Sequence, residues 1–334
     1  MDPVSQGVLG AAAALFISRK SDTKQAAVVG ALGGMAPDLD ILFRSSQDPL
    51  MALELHRQFT HSLAFIPFGG AIVALFLWVL FYRQHTYREI WLFATIGYAT
   101  HGLLDACTSY GTQLYWPFSD FRVAWDVIGI IDLLVTVPLL IAVIATAKSG
   151  HKRWLITGTT LVAMYFGLGV SQHQRAMDTI EQIAGDAGQR VVRAKAMPTV
   201  GNLIVWRTIY QADNSYHVNA IALPLFSEPR VYSGGTVKPL DVDKDFPSLP
   251  TDSLQADDIE RFRWFTSDWL FVSPTNPSAI GDLRYAGRPD GIQSLWQITV
   301  SPEQPDEHVG YGSKMRDSDG LVLLDMLLDR EVDQ

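Results

Sequence analysis

The chain has 334 residues, of which 48% are hydrophobic and 18% charged, and its formal net charge is −9 at pH 7. A soluble domain of average composition has about 25% charged residues, so this deficit favours contact with lipid. The acidic balance argues against nucleic acid as a partner, and the single cysteine, Cys107, excludes an intrachain disulfide framework and a cysteine-rich zinc site.

The charges divide the chain into two parts. Residues 1–170 carry 11 Lys/Arg and 11 Asp/Glu, so the whole net charge lies in the remainder. We therefore predict a transmembrane helical domain over residues 1–172 and a soluble domain over residues 173–334. No signal peptide is visible before the first apolar run, so internal spans are expected to direct insertion.

Six apolar runs occur in succession in the first part. Four approach the roughly 20 apolar residues that cross a bilayer, and the first two are shorter but rich in Ala and Gly, which allow close helix packing in lipid. The runs cover residues 7–18, 26–35, 63–82, 90–104, 127–147 and 154–170. The predicted fold is an α-helical membrane bundle of about six spans, followed by an extracytoplasmic α+β domain rich in β-strands.

Basic residues predict the orientation of this bundle. Eight of the 11 lie in the loops after the first, third and fifth runs, which are therefore expected in the cytoplasm. Both termini and the C-terminal domain are then predicted to lie outside the cytoplasmic (inner) membrane. The eight residues are Arg19, Lys20, Lys24, Arg83, Arg88, Lys148, Lys152 and Arg153.

The same topology gathers ionisable side chains at the outer face, where each would cost a few kcal/mol in an apolar helix unless it had a partner. A divalent metal would pair the carboxylates and lower the pKa of a bound water. Mixed imidazole and carboxylate ligands suit zinc, manganese or iron better than calcium. The residues are Asp2, Asp38, Asp40, His56, His61, His101, Asp105, Asp126 and Asp132.

Each group also has a structural interpretation. The Asp-Leu-Asp pair fits a turn or helix cap, and the two histidines before the third run fit an interfacial position. His101 and Asp105, four residues apart on one helix face, fit a hydrogen-bonded pair. Asp126 and Asp2 are predicted to cap the fifth and first spans. Convergence of all these groups on one face favours a metal site over a purely structural cluster.

The motifs have a specific order and spacing over residues 1–140. They are Met1-Asp2-Pro3-Val4, Gly33-Gly34-Met35-Ala36-Pro37-Asp38-Leu39-Asp40, His56-Arg57-Gln58-Phe59-Thr60-His61-Ser62, His101-Gly102-Leu103-Leu104-Asp105, Thr108-Ser109-Tyr110-Gly111-Thr112-Gln113, Trp116-Pro117-Phe118 and Ile130-Ile131-Asp132. This pattern resembles the membrane-bound metal-dependent hydrolases described as YdjM-like or LexA-binding inner-membrane proteins. The resemblance implies metal-dependent hydrolysis. The His-x-x-x-Asp helix motif is also similar to that of zinc-dependent phospholipases C, which implies phosphoester substrates. Family members usually carry Thr-His near the start, where this chain has Ser5-Gln6.

We accordingly predict a membrane-embedded hydrolase that acts on a phosphoester, or another ester, of a lipid or lipid-linked molecule at the outer membrane face. Zinc is the preferred metal, with manganese or iron as alternatives. Catalytic roles are predicted for Asp38, for Arg57 as a contact to a phosphate oxygen, and for Asp132 as a further ligand or a group that orients a ligand histidine. The predicted metal ligands are Asp38, Asp40, His56, His61, His101 and Asp105.

Two other classes of function remain open. A transporter or channel would use the acidic residues as an ion path, although the spans show no internal repeat. A non-catalytic scaffold would bind a partner through its outer domain, with the polar cluster holding the bundle together, and Gln6 favours this alternative.

The C-terminal part has the pattern of a β-rich domain. Residues 203–210 and 216–223 are predicted to form a hairpin with Asp213-Asn214 in its turn. Residues 257–268 have helical character, and residues 295–300 are predicted to form another strand. The domain carries no G-x-S-x-G, P-loop or dinucleotide-binding motif.

Overall fold

The computed structural model describes residues 1–313, 319–328 and 330. They form two compact units, which we call the helical unit and the sheet unit. The helical unit comprises Met1–Leu42, Leu55–Ser171 and Val200–Asn202. The sheet unit comprises Phe43–Glu54, Gln172–Thr199 and the described residues from Leu203 onward. A short segment of the N-terminal half, Phe43–Glu54, thus belongs to the sheet unit.

Apolar helices build the helical unit, which contains α1 (Pro3–Ile17), α2 (Thr23–Met35), α4 (Ile66–Phe81), α5 (Tyr87–Ala106), α6 (Leu133–Ser149) and the first half of α7 (Arg153–Asp186). The short helix α3 (Met51–Leu55) precedes α4. Asp2 caps α1, as predicted, because its Oδ1 accepts a hydrogen bond of 3.0 Å from the Ser5 amide. Pro3 comes next, at the first helical position, where the missing N–H costs nothing.

Glycines allow α1, α2 and α5 to approach one another closely. A Cβ atom on Gly97 would lie 2.1 Å from the carbonyl oxygen of Gly30, and one on Gly30 would lie 2.4 Å from the Cβ of Ala14. Contacts this short leave no room for any side chain at these positions. Small residues allow the same close approach of backbones between membrane helices. The packing brings the C-terminal half of α5 against the end of α2.

The prediction of a six-span bundle was wrong. By length and composition, only Leu63–Phe81 and Arg153–Asp186 qualify as candidate membrane spans among the described residues. Helices α1 and α6 have 15 and 17 residues, which at 1.5 Å per residue reach about 22–26 Å, short of a hydrocarbon core of about 30 Å. The predicted orientation, with both termini outside, depended on that count and stays a prediction.

The fifth predicted span also began too early. Residues 127–131 are not helical, and α6 starts at Leu133. Asp132, predicted to lie inside the span, is the N-cap residue, with Oδ1 accepting from the Leu134 amide at 3.0 Å. Asp126, predicted to be this cap, instead lies six residues earlier with a positive φ of 55°. Mean hydropathy alone did not show that the helix begins after Asp132, although aspartate is a common N-cap residue.

Two four-stranded antiparallel sheets form the centre of the sheet unit. The first has β1 (Arg193–Pro198), β2 (Val205–Ala212), β3 (Ser215–Ala222) and β4 (Arg230–Val237) in that order. The second has β5 (Leu270–Ser273), β6 (Asn276–Asp282), β7 (Trp296–Thr299) and β8 (Gly310–Ser313). Helices α8 (Val242–Asp245) and α9 (Leu254–Thr266) lie between the sheets in sequence, and α10 (Asp319–Leu327) comes after them. Buried side chains from both sheets, including Ile209 and Phe271, share one core.

The structure confirms the predicted hairpin, since β2 and β3 pair from Val205↔Ala222 to Ala212↔Ser215. Asp213 and Asn214 have φ of 49° and 57°, the left-handed conformation that a two-residue hairpin turn requires and that Asp and Asn tolerate. The predicted helix and the later strand correspond to α9 and β7.

A buried arginine organises the loop after β6. The Arg207 side chain, on β2, donates hydrogen bonds to the carbonyl oxygens of Leu283, Arg284, Pro289 and Gly291 at 2.8–3.1 Å. Burial lowers the pKa of Arg207 to about 10, so the group remains charged at neutral pH. Four main-chain carbonyls, three of them in buried hydrogen bonds, are therefore satisfied by one side chain.

Candidate metal centre

Four of the predicted site residues meet at one point in the helical unit. One nitrogen or carboxylate oxygen from each of Asp38, His61, His101 and Asp105 lies within 4.8 Å of the others. His61, His101 and Asp105 are buried, whereas the Asp38 side chain remains 23% exposed. The group is therefore enclosed on most sides and open at Asp38.

The separations of these atoms fit a single cation. The Nε2 atoms of His61 and His101 are 2.8 Å apart. Asp38 Oδ1 lies 3.6 Å from Nε2 of His61 and 3.3 Å from Nε2 of His101. Asp105 Oδ2 lies 3.2 Å and 3.6 Å from the same two nitrogens. Four ligands at zinc bond lengths in a tetrahedron would be about 3.4 Å apart. The four nitrogen–oxygen separations, 3.2–3.6 Å, agree with this value, whereas the two nitrogens are closer and would move apart to bind one ion.

Three segments deliver the four side chains. Asp38 lies on a 3₁₀ helix, Ala36–Leu42, that continues from the end of α2, and His61 ends another, Phe59–His61. His101 and Asp105 project from one face of α5, as the four-residue spacing predicts. A Cβ on Gly102 would lie 2.2 Å from the His61 carbonyl oxygen. Glycine at this position allows the His61 segment to lie directly against α5.

Hydrogen bonds direct the Nε2 atoms of both histidines at the centre. Nδ1 of His101 lies 2.6 Å from the carbonyl oxygen of Gly34 and can only donate to it. Nδ1 of His61 lies 3.3 Å from Asp40 Oδ2 and 3.0 Å from Thr60 Oγ1. A hydrogen bond at Nδ1 fixes the ring and leaves Nε2 as the ligand atom, which is the usual arrangement of metal-binding histidines.

Asp105 presents one carboxylate oxygen to the protein and the other to the centre. Its Oδ1 accepts a hydrogen bond of 2.9 Å from the Gln6 amide and contacts the Met1 amino group. Its Oδ2 lies 3.0 Å from Arg57 Nε, yet it is buried and accepts no hydrogen bond of acceptable geometry from the described residues. A bound cation would give this buried oxygen a ligand bond in addition to the nearby charges of Arg57 and His61. The four side chains thus fit a divalent metal ion.

The carboxylates control the protonation of the two histidines. Burial opposes the charge on His61, but the neighbouring carboxylates of Asp105, Asp38 and Asp40 outweigh it and raise the pKa of His61 to about 10. Burial and the neighbouring His61 charge lower the pKa of His101. The pKa of Asp38 is held below its usual range because hydrogen bonds with His101 and His61 outweigh its burial. Without a metal, a proton on His61 compensates the carboxylates.

Binding of a cation should therefore release this proton. At any pH below about 10, His61 must lose its proton before Nε2 binds a metal, so low pH weakens binding. We expect the apparent affinity for Zn²⁺ to rise about tenfold per pH unit between pH 6 and 8, with about one proton released. Calorimetric titration in two buffers of different ionisation enthalpy measures the release. An affinity independent of pH would contradict this expectation.

Asp40 and His56 were predicted as ligands, but the structure does not bring them into the group of four. Both oxygens of Asp40 are already used: Oδ1 lies 2.7 Å from His56 Nδ1, while Oδ2 accepts from the Arg57 amide at 3.1 Å and from Thr60 Oγ1 at 2.8 Å. Asp40 therefore orients His61 from outside the centre. The His56 side chain is 24% exposed, and its ring centre lies 5.7 Å from that of His61.

Arg57 lies beside the group of four, whereas Asp132 lies outside it. Arg57 is 5% exposed and lies beside Asp105, with Nη1 donating to Thr108 Oγ1 at 3.1 Å and its Cζ 4.6 Å from the Tyr110 ring centre. Its predicted contact with phosphate stays a prediction. Asp132 is not among the four groups, and its Oδ2 accepts from the Tyr165 hydroxyl at 2.8 Å.

Sequence reasoning missed three groups around the centre: the Gly34 carbonyl, Thr60 and the amide of Gln6. Gly34 and Thr60 stand within the same sequence motifs as the ligands, but no pattern reveals a main-chain partner. Gln6 was noticed only as a departure from the Thr-His pair of the family. Its side chain is completely buried and supports Asp105, so the substitution places an amide donor at the centre.

Substitution of Gln6 by leucine should weaken metal binding while the helices persist. Leucine has a similar volume but removes the donor to Asp105 Oδ1. Loss of such an outer partner typically costs 10–100-fold in metal affinity, and we expect about tenfold here. Competition with a fluorescent zinc chelator measures the change. Gln25→Leu, in α2, is the matched control, and an equal loss in both variants would show a general effect of removing a glutamine.

Two curated proteins are similar to part of this chain. The chain is 28% identical over 160 residues to the uncharacterized protein YfhP of Bacillus subtilis, covering 45% of this chain and 48% of YfhP. It is 34% identical over 105 residues to the inner membrane protein YbcI of Escherichia coli, covering 30% of this chain and 60% of YbcI. The chain thus spans about half to three fifths of these relatives.

No solved structure is a significant match. The model of the family described as YdjM inner membrane protein matches residues 1–176, which include all four clustered side chains. More than half of the sequence is covered by this match. The chain therefore belongs to the YdjM inner membrane protein family.

Proposed function

We propose that this protein is a metal-dependent hydrolase of the inner membrane that acts on a phosphoester, or another ester, of a lipid or lipid-linked molecule. The observation that carries the proposal is the arrangement of Asp38, His61, His101 and Asp105, with both imidazole Nε2 atoms directed at one point. Two nitrogen and two oxygen donors at these separations suit zinc, and manganese or iron as alternatives.

The residues of the centre have separate roles in this proposal. Asp38, His61, His101 and Asp105 hold the cation, which when bound supplies Lewis acidity and lowers the pKa of a coordinated water. Arg57, beside Asp105, adds positive charge where a phosphoryl group would carry negative charge. Asp38 and His56 are the partly exposed groups of the site, so substrate would enter past them. A lipid headgroup is a natural substrate for a protein of an inner membrane family.

A non-catalytic scaffold is the second candidate, and one observation favours it. The Met1 amino group contacts Asp105, and Arg57 and a protonated His61 place positive charge beside it. Such ion pairs are able to hold α1 and α5 together without any metal. In that case the cluster would stabilise the helical unit, and the sheet unit would bind a partner.

Metal analysis of the purified full-length protein separates the two candidates. We expect close to one equivalent of zinc, manganese or iron in the wild type and none in a His101→Gln, Asp105→Asn double variant, which keeps the side-chain volumes. The exposed pair His151→Ala, Asp120→Ala is the control and should retain the metal. The metal-loaded wild type should then hydrolyse a chromogenic phosphodiester or a phospholipid, and the double variant should not. No metal in folded wild type would favour the scaffold.

A further inference from the structure

The loop that follows α5 is closed by main-chain hydrogen bonds. The Thr112 amide donates to the Val123 carbonyl oxygen at 2.9 Å, and the Val123 amide donates to the Thr112 carbonyl oxygen at 2.8 Å. This bridge brings Arg122, which precedes Val123, close to Gly111, which precedes Thr112. All of these residues belong to the helical unit. The loop thus returns an arginine to the residues that follow α5.

Gly111 determines where the side chain of this arginine lies. Nη2 of Arg122 donates to the Gly111 carbonyl oxygen at 2.9 Å. Gly111 has a φ of 92°, in the left-handed region that favours glycine. A Cβ at this position would lie 3.0 Å from Cβ and 3.3 Å from Nε of Arg122. The arginine side chain is therefore packed over the glycine, and only 8% of the residue is exposed.

A second buried arginine lies against the same aromatic ring. The Cζ atom of Arg57 is 4.6 Å from the Tyr110 ring centre, and that of Arg122 is 5.5 Å from it. The two guanidinium groups, which we call the arginine pair, are thus no farther apart than the sum of these distances. The ring attracts each cation. Arginine stays charged in proteins, however, and like charges repel strongly where water is excluded. A bound anion would offset this repulsion.

One carboxylate beside Arg57 is shared with the metal centre. Oδ2 of Asp105 lies 3.0 Å from Arg57 Nε, and the same oxygen faces Nε2 of His61 and of His101. Once a cation binds this oxygen, the cation takes up its charge, and the positive charge of Arg57 loses part of its compensation. The metal-loaded centre therefore favours an anion beside Arg57 more strongly than the metal-free centre does.

Gln113 adds a buried donor next to Arg57. Its main-chain amide donates to the Arg57 carbonyl oxygen at 2.9 Å, and the residue is only 1% exposed. Its side-chain Nε2 has no hydrogen-bond acceptor among the residues that the structure describes. A buried N–H group without an acceptor is costly, and an oxyanion within its reach would supply one.

The Tyr110 ring connects the arginine pair to the open side of the metal centre. The residue is half-buried, and its ring centre lies 5.8 Å from that of His56 in an edge-on contact. The His56 side chain is 24% exposed. His56 and the arginine pair thus contact one ring, so the pair lies close to the partly exposed edge of the site.

We propose that the arginine pair is an anion-binding site that takes a phosphate group of the substrate, with Arg122 as its second guanidinium and Gln113 as a neutral donor. Guanidinium groups present paired N–H donors that match the oxygens of phosphate, whereas a carboxylic ester has no charge with which to offset them. As a statement about the substrate, the inference rests on the proposed function and narrows it to phosphoesters. The anion site itself is a property of Arg57 and the loop.

Isothermal titration calorimetry with inorganic phosphate tests the site on the full-length, detergent-solubilised protein, with and without Zn²⁺. Arg122→Met should weaken phosphate binding about 10–100-fold, the effect of losing a hydrogen bond to a charged group. Arg122→Lys keeps the charge without the fork and should recover part of the affinity. Arg153→Met is the matched control and should equal the wild type, since Arg153 is an exposed arginine whose Cζ lies 5.2 Å from the Trp154 ring centre.

Two further measurements separate folding from binding and identify the source of the phosphate. Circular dichroism and Zn²⁺ affinity should be unchanged in Arg122→Met, because Arg122 is not one of the four clustered groups. Dihexanoyl phosphatidic acid in the same detergent presents the phosphate group on a lipid. Tighter binding of this lipid than of inorganic phosphate, lost in Arg122→Met, would support the site with a lipid headgroup as its ligand. Equal binding of the two, also lost in Arg122→Met, would support it with a free phosphate as its ligand.

Equal phosphate affinities in wild type and Arg122→Met would overturn the inference, and so would a wild type that binds no phosphate. Equal losses in Arg122→Met and Arg153→Met would also overturn it, because any exposed arginine would then have the same effect. If the wild type binds no Zn²⁺, the proposed function fails, and the titration without Zn²⁺ still decides whether the arginine pair binds an anion.

Discussion

Replacing His61 by alanine is expected to lower the affinity for Zn²⁺ by at least about 100-fold, because loss of a mere outer partner already costs 10–100-fold. The Nε2 atom of His61 is one of the four clustered donors and lies 2.8 Å from its counterpart on His101. Competition against a chelator of known affinity measures the loss. Circular dichroism of the detergent-solubilised variant reports whether the helices persist.

His56→Ala is the matched control for this substitution, since both residues are histidines bonded to Asp40 and only five positions apart. His56 touches Asp40 but none of the four donors through a hydrogen bond, so its loss should weaken binding less than about tenfold. Equal losses in the two variants would contradict the four-residue assignment and return His56 to the ligand set that the sequence predicted.

Replacing Arg207 by methionine is expected to destabilise the sheet unit by about 3–5 kcal/mol. Methionine has a similar length but removes the donor to the buried carbonyls of Leu283 and Pro289 and to the part-buried carbonyl of Gly291. Each unsatisfied carbonyl costs about 1–3 kcal/mol, and relief from burying the guanidinium charge offsets part of the sum. Hydrogen exchange of the amides in β2 and β3 of the full-length protein measures the free energy of opening.

Arg288→Met supplies the comparison in the same loop. Arg288 is 30% exposed and pairs with Asp290 at 3.0 Å, so its loss should cost no more than about 1 kcal/mol. Faster exchange confined to Arg207→Met would support the role of its buried hydrogen bonds. Similar exchange rates in both variants would mean that water satisfies the loop carbonyls once the arginine is absent.

The sequence was sufficient to find the neighbourhood of the centre, because ionisable groups in apolar surroundings are costly and need partners. Four of the six predicted ligands converge, and the i, i+4 pair on α5 behaves as helical geometry requires. The sequence did not predict that Asp38 would join the group of four while Asp40 would lie outside it. It depends on a 3₁₀ helix with three residues per turn, and a pattern of two acids around one leucine does not specify that geometry.

Hydropathy predicted apolar helices but not their ends. The run at 127–147 has the pattern of one span, yet its first residues are not helical and Asp132 caps the helix that begins after them. Mean hydropathy does not distinguish such non-helical residues from the helix that follows them. The turn at Asp213 and Asn214, in contrast, is recognisable in the sequence, because few residues tolerate positive φ. Local rules with a steric cause were therefore reliable, and span counting was not.

The hydrogen bond from His101 to the Gly34 carbonyl has a consequence for how this centre tolerates mutation. A side-chain partner is erased by one substitution, but every amino acid carries a carbonyl, so no change at position 34 deletes this acceptor. A substitution at position 34 would instead disturb the site by changing the distance between α1 and α2. A Cβ on Gly34 would lie 2.6 Å from the Gln6 carbonyl oxygen and 3.1 Å from the Cα of Gly10. The orientation of the His101 imidazole thus depends on the absence of a side chain at position 34, where α1 and α2 are in close contact.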